Sequence, residues 1–284
     1  MTNTNVVAQS SMTSTITRPP IALMSETFSS RCLEWDRLLG HQVALFRAAE
    51  LAWFERMAAF PRYLRIVDFG CGNGDYLASI NSAFPHNRYI GADLSVELIA
   101  IARQRHPSLR FLTGNFTSEL QAFDPQIAIL RFVLQHLPNP ADFFCRLAND
   151  HIGLETLFVI EPSMAHSTVN PPLRNLTRLI QERERRNAEG SSGRPCLSTP
   201  GALQQILGSS WRISRSDLVP ITYCRSSWPA SEITGVLQGW LQALATENTA
   251  TDIALAKDEL DTWYTNDGHE LSLCLNIWQL VRSS

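Results

Sequence analysis

The chain has 284 residues, of which 44% are apolar and 18% charged, and its formal net charge is −3. That length buries a sizeable core without disulfide staples, and that charge supplies no global positive field to recruit nucleic acid. Of the 24 basic residues only Lys257 is a lysine, so a P-loop is excluded and a lysine nucleophile has almost nowhere to sit. As a whole-chain bias, Arg for Lys reads as GC-rich codon drift.

Residues 1–17 are rich in Thr, Ser and Asn and lack the basic and apolar regions of a secretory signal, so 1–20 reads as a disordered tail. The six cysteines (32, 71, 145, 196, 224, 274) form no C-x-x-C pair. That spacing predicts no metal site and no disulfide framework, and it suits a reducing, cytoplasmic setting. No apolar run is long enough to span a bilayer.

Residues 34–60 carry a helical repeat of Leu39, Val43, Phe46, Phe54 and Met57. A strand from Leu64 to Phe69 follows, then a glycine cluster at 70–74 and a helix from Tyr76 to Phe84. Arg88–Asp93 reads as a second strand, Ser95–Arg105 as a helix capped by Ser95, and Leu109–Leu112 as a third strand. Gln126–Leu130 is a fourth, apolar enough to be buried on both faces. Ala141–Asn149 is helical and Thr156–Ile160 is a fifth strand. This alternation predicts βαβ units and a mostly parallel, doubly wound sheet.

After Pro162 the pattern changes. A loop (163–172), a charged helix (173–188) and a flexible connector (189–195) come first. A short helix (199–207), a strand within 211–222, two helices (230–246, 250–264) and a last strand (271–281) complete the chain. The basic cluster Arg174, Arg178, Arg183, Arg185, Arg186 and Arg194 is interleaved with Glu182 and Glu184. That mixture favours a solvated helix over a phosphate-binding face.

The strongest signal is Asp68-Phe69-Gly70-Cys71-Gly72-Asn73-Gly74, at the first strand-to-helix turn. A nucleotide-like cofactor lands there in a doubly wound sheet. The spacing is G-x-G-x-G with an acid two residues upstream, and it differs from the dinucleotide fingerprint. Asp93 ends the second strand, where a carboxylate can accept from both ribose hydroxyls.

These residues resemble the first motif of class I S-adenosylmethionine-dependent methyltransferases. Gly91-Ala92-Asp93-Leu94-Ser95, Gly114-Asn115-Phe116 and Val133 to Pro140 resemble the later motifs in the family's order, over about residues 60–163. The resemblance implies a Rossmann-like, seven-stranded α/β fold and S-adenosylmethionine as cofactor. It implies that Asp68 and the backbone at Gly70, Cys71 and Gly72 hold the methionine end and that Asp93 binds the ribose. Leu94 and Phe116 would flank the adenine, or simply pack the core. Asn115 stands where the family usually has an acid; its carbonyl still accepts a hydrogen bond but carries no charge.

Methyl transfer needs a positioned acceptor and, for some acceptors, a base. His136 after the fourth strand and Glu161 on the fifth are the catalytic candidates, each alternatively structural; His166 is a third. Arg131 ends a buried strand and needs an anionic partner: Asp68 in an internal salt bridge, the cofactor carboxylate or an acidic substrate group. Asn170-Pro171-Pro172-Leu173 resembles the N-P-P-aromatic signature of amino-group methyltransferases, but it follows the wrong strand and ends in Leu.

The expected organisation is one domain over 21–284. It comprises a helical cap (21–60), a cofactor-binding core (61–162), helical lid insertions (163–195 and 227–268) and a final strand (269–284). Trp35, Trp53, Trp228, Trp240 and Trp263 lie in the cap and lids and suit a small, partly apolar acceptor. The expected partner is that small molecule, plausibly a specialised metabolite methylated at O or N, with no nucleic acid and no membrane, in a monomer or homodimer. A protein or nucleic-acid methyltransferase, or a non-catalytic binder of the same cofactor, are the alternatives.

Overall fold

The computed structural model describes residues 28–188, 200–224, 230–245, 247–265 and 270–283. The tail (1–20), the connector (189–195), Arg194 and Trp228 lie outside them. The first five strands are β1 (Arg65–Phe69), β2 (Arg88–Asp93), β3 (Arg110–Thr113), β4 (Ile127–Arg131) and β5 (Thr156–Pro162). They pair in parallel in the order β3-β2-β1-β4-β5. The last strand, β8 (Glu270–Arg282), inserts antiparallel beside β5, and β7 (Trp211–Cys224) lies antiparallel along its far edge.

The expected loop 163–172 contains a further short strand, β6 (Thr168–Asn170). It pairs with residues 270–272 of β8, on the edge where β5 pairs with 275–281. β5 and β6 are therefore one line broken by the turn Met164–His166, and the sheet is seven strands wide. Such a three-residue strand exists only through its partner and has no local signal of its own.

Because side chains alternate along each strand, the sheet has two apolar faces. Ile66, Ile129, Phe158 and Ile160 face α1 (Ser30–Arg56), α2 (Asp75–Ala83) and α3 (Val96–Arg105). Val67, Phe69, Ala128, Leu130 and Val159 face the other side. There they meet α4 (Ser118–Phe123), α5 (Pro140–Asp150) and α7 (Pro200–Leu207). The remaining helices α6 (Arg174–Ala188), α8 (Ala230–Ala245) and α9 (Ala250–Thr265) join the α1 side. Trp53, Trp211 and Trp278 are among the fully buried side chains. Each such burial stabilises the fold by roughly 2–3 kcal/mol.

Caps set several helix starts. Ser29 accepts from the Cys32 N–H at 3.2 Å, so α1 begins before the apolar repeat that marks it in the sequence. Ser95 accepts from the Leu98 N–H at 3.2 Å, as its position predicts. Glu259 of α9 accepts from the N–H groups of Arg174, Asn175 and Leu176, satisfying the free end of α6 from a neighbouring helix. Among the described residues no helix is long and apolar enough to cross a membrane.

Candidate active site

Asp93, Asp68 and Arg131 end β2, β1 and β4 or lie one residue short of that end, and they share the α1 face. Asp68 pairs in register with Gly91 on one side and Ile129 on the other, so Asp93 and Arg131 are its diagonal neighbours. This period-2 alignment turns three separated sequence positions into one row at the carboxyl edge of the sheet.

The glycine turn runs beside that row. Gly70 and Gly72 are left-handed, with φ of 71° and 55°, a region that favours residues without a Cβ. Their surroundings are equally restrictive. A Cβ at Gly70 would come within 2.4 Å of Val133 Cγ2, and one at Gly72 within 2.5 Å of Leu39 Cδ1. The Gly70 and Cys71 N–H groups both donate to the Ala92 carbonyl, at 2.7 and 3.2 Å. The Gly72 N–H donates to Asp93 Oδ2 at 2.9 Å. All three donors are thus engaged within the protein, and the Cys71 carbonyl accepts from the Gly74 N–H at 3.0 Å.

Asp93 is held at both oxygens, because Oδ1 also accepts from the Ser95 N–H at 2.8 Å. Leu94 beside it is 69% exposed, so it is not core. Asn115 Oδ1 is buried with no hydrogen-bond partner among the described residues. Phe116 is half-buried and engaged by protein: Phe143 at 5.4 Å, the His151 ring stacked at 6.2 Å, and Arg146 Cζ 4.0 Å from its centroid.

Arg131 has an internal acid. Its Nε lies 2.7 Å from Glu50 Oε1 and its Nη2 donates to the Gln42 carbonyl at 3.2 Å, both on α1. The Tyr76 and Phe132 rings lie 4.5 and 4.2 Å from its Cζ. Burial pushes the Asp68 carboxyl up to about 8, against the pull of Arg131. Burial likewise raises Glu50, with Arg131 opposing it. Phe132, next in the chain, takes a left-handed φ of 59°. Such a conformation costs a bulky residue about 1–2 kcal/mol.

Glu161 turns to the opposite face of the sheet. It accepts from the Leu134 N–H at 2.9 Å and from the Val133 backbone, and burial raises its carboxyl to about 8. It therefore fixes the turn Leu134–His136 that follows β4. His136 is exposed on that turn, edge-on to Trp35 at 5.7 Å. His166 lies nearby in the chain from β5 and meets the Ser163 hydroxyl at 2.8 Å.

Of the described tryptophans in the cap and lids, only Trp35 is brought to these residues. Trp53 and Trp263 are buried and donate to Asp217 (2.9 Å) and to the Pro171 carbonyl (2.9 Å). Trp240 packs against the core. The α6 arginines face acids: Arg178 lies 2.6 Å from Asp252, Arg185 2.7 Å from Glu182, and Arg183 and Arg186 each 3.7 Å from Glu247.

Residues missed by the sequence reading complete the site. Leu39 and Val133 roof the glycine turn, and Glu50 and Tyr76 surround Arg131. Asp36 binds Asn73 Nδ2 at 2.7 Å and tethers the turn to α1. None carries a local signal, because each is defined by a contact across the chain.

A doubly wound sheet with a glycine turn after β1 and an acid at the end of β2 is the arrangement of the Rossmann-like fold. Residues 67–150 match a family model described as a methyltransferase domain. Two trans-aconitate 2-methyltransferases are similar over 114 residues each. That from Acidovorax ebreus (strain TPSY) is 28% identical and that from Acidovorax sp. (strain JS42) 33% identical. Each match covers 40% of this chain and 44% of the relative. The chain is thus matched to less than half of these relatives' length. A proposed type II methyltransferase from Anaeromyxobacter dehalogenans shares the fold, with a TM-score of 0.54, 17% identity and coverage of 82% of this chain and 95% of that one. Residues 67–150 are thus similar to a methyltransferase domain, and the chain as a whole shares the Rossmann-like methyltransferase fold.

Proposed function

We propose that this protein transfers a methyl group from S-adenosylmethionine to oxygen or nitrogen of a small-molecule acceptor. The observation that carries this reading is the row of groups on consecutive strand ends: an Asp93 carboxylate fixed by two backbone N–H groups, an exposed Leu94 and an unpartnered Asn115 carbonyl. These fit a ribose, an apolar ring face and an exocyclic amino group in that order. A bound sulfonium supplies a methyl group that its positive charge has already activated for displacement.

Asp93 would accept from the ribose hydroxyls, and Asn115 from the adenine amino group. Leu94 would form one adenine wall and Phe116 the other, with Arg146 moving off the ring. Asp68 and the glycine-turn backbone from Gly70 to Gly72 would hold the methionine end. Arg131 acts from the wall through its charge, which favours the ionised form of Asp68. His136 is the group placed to take a proton from the acceptor, and Glu161 is the positioning residue for its turn. Helices α6, α8 and α9 supply the acceptor's side. The pairing of α6 arginines with acids favours a specialised metabolite over nucleic acid.

The test is calorimetry with S-adenosylhomocysteine. Wild type binds, and Asp93→Ala binds at least roughly tenfold more weakly, the loss of a charge-assisted hydrogen bond. No binding by wild type would sink the proposal.

A further inference from the structure

Arg131 is the cation that β4 delivers to the crevice, and its charge is already answered. It contacts Glu50 at 2.7 Å with side-chain exposures of 5% and 0%. Two of its nitrogens are engaged on α1, and two aromatic rings lie within 4.5 Å of its Cζ. A guanidinium held in this way cannot turn to clamp a carboxylate from outside, since a bidentate clamp needs two free parallel N–H groups. The second Glu50 oxygen is buried with no partner among the described residues, and Asp68 is buried at the end of the adjacent strand on the same face. A carboxylate entering here would lose its hydration, meet the acid Asp68 and find no free cation on β4.

We propose that the acceptor is neutral or cationic, a hydroxyl or an amine, and that Glu50 is the residue that excludes polycarboxylates by neutralising Arg131. This rests on the methyltransferase reading above. In the reaction the acceptor oxygen or nitrogen forms the new bond to the methyl carbon. The sulfonium–methyl bond breaks with its electron pair left on sulfur, and the acceptor proton passes to His136 or water. The substrate in the relatives' names, trans-aconitate, is a tricarboxylate and is the natural probe.

The experiment titrates the full chain with S-adenosylhomocysteine, then titrates the loaded protein with trans-aconitate. In parallel it follows labelled methyl from S-adenosylmethionine onto trans-aconitate. Wild type is expected to bind S-adenosylhomocysteine, to show no saturable trans-aconitate binding up to about 1 mM, and to form no methyl ester. Glu50→Gln, with Arg131 unneutralised, is expected to gain at least about tenfold in trans-aconitate affinity. Wild type that binds S-adenosylhomocysteine and also binds or methylates trans-aconitate as well as Glu50→Gln overturns this inference and leaves the methyltransferase reading standing. Wild type that binds no S-adenosylhomocysteine overturns both. Should Glu50→Gln fail to fold, the wild-type assay decides alone: ester formation overturns the inference, and its absence alongside cofactor-product binding supports it.

Discussion

Asp36 of α1 and Arg105 of α3 meet in a two-point ion pair that is nearly closed to solvent, with Nη1 2.9 Å from Oδ1 and Nη2 3.0 Å from Oδ2. The same Nη1 reaches Asp75 at 2.9 Å, and Asp75 in turn meets His106 at 2.8 Å. Burial alone would raise Asp75, but the bonds from His106 and Arg105 more than offset it and hold its carboxyl below the usual range. Asp36→Ala removes one of two acids from a buried cation. It should cost about 3 kcal/mol, the penalty for breaking a buried pair, read as a lowered urea midpoint at unchanged slope. A loss below about 1 kcal/mol would mean that water replaces the carboxylate and that the pair is not truly buried.

Glu161 predicts a pH dependence. Its carboxyl is raised to about 8 in the fold, while in an unfolded chain it titrates near the ordinary value of about 4.3. Between those limits the folded state holds more protons, so stability is full at acid pH and falls as pH rises through about 8. The loss across that window should be at most about 5 kcal/mol, the free energy of the full shift. Glu161→Gln keeps an oxygen for the Leu134 N–H and should flatten the profile. Equal slopes for the two proteins in melts from pH 5 to 9 would remove Glu161 as the cause.

The Gly70 contact predicts a non-additive pair. Gly70→Ala places a methyl group against Val133 and forces a left-handed alanine. The backbone part alone costs about 1 kcal/mol. Val133→Ala removes the atom that the new methyl group strikes. The double variant should therefore be more stable than the sum of the singles by about 1 kcal/mol or more. Simple additivity would show that Val133 moves aside without cost.

Asn115→Leu removes a buried carbonyl that has no partner in the protein. Protein stability should hold or rise slightly, since an unsatisfied polar atom is lost. Affinity for S-adenosylhomocysteine should fall by roughly fivefold, about 1 kcal/mol. Unchanged affinity would place the adenine amino group elsewhere.

The sheet and the cofactor turn were legible in the sequence for a physical reason. Parallel strands buried on both faces must be continuous apolar runs, and a left-handed turn needs glycine in fixed positions. Asp93 could be read because the end of a strand is a defined place. Asp36 and Glu50 could not, because an acid within an amphipathic helix looks like a solvated residue until its partner, 69 or 81 residues away, is known. Arg131 was legible as a buried cation in need of an anion, with an internal salt bridge among the readings, but Glu50 was not legible as that anion. The exposure of Leu94 and the internal bonds of the Gly70–Gly72 donors likewise depend on how separate segments meet.

The two ion pairs on α1 sit fourteen residues apart, about 21 Å along the axis, one at Arg105 and one at Arg131. The helix is thereby clamped at both ends, like a beam on two supports. Its middle cannot fray alone: opening it requires stripping a buried charge at one end or the other. Amide protons around Val43 and Phe46 should therefore exchange with solvent only when the whole domain unfolds, at the rate of the central strands β1 and β4.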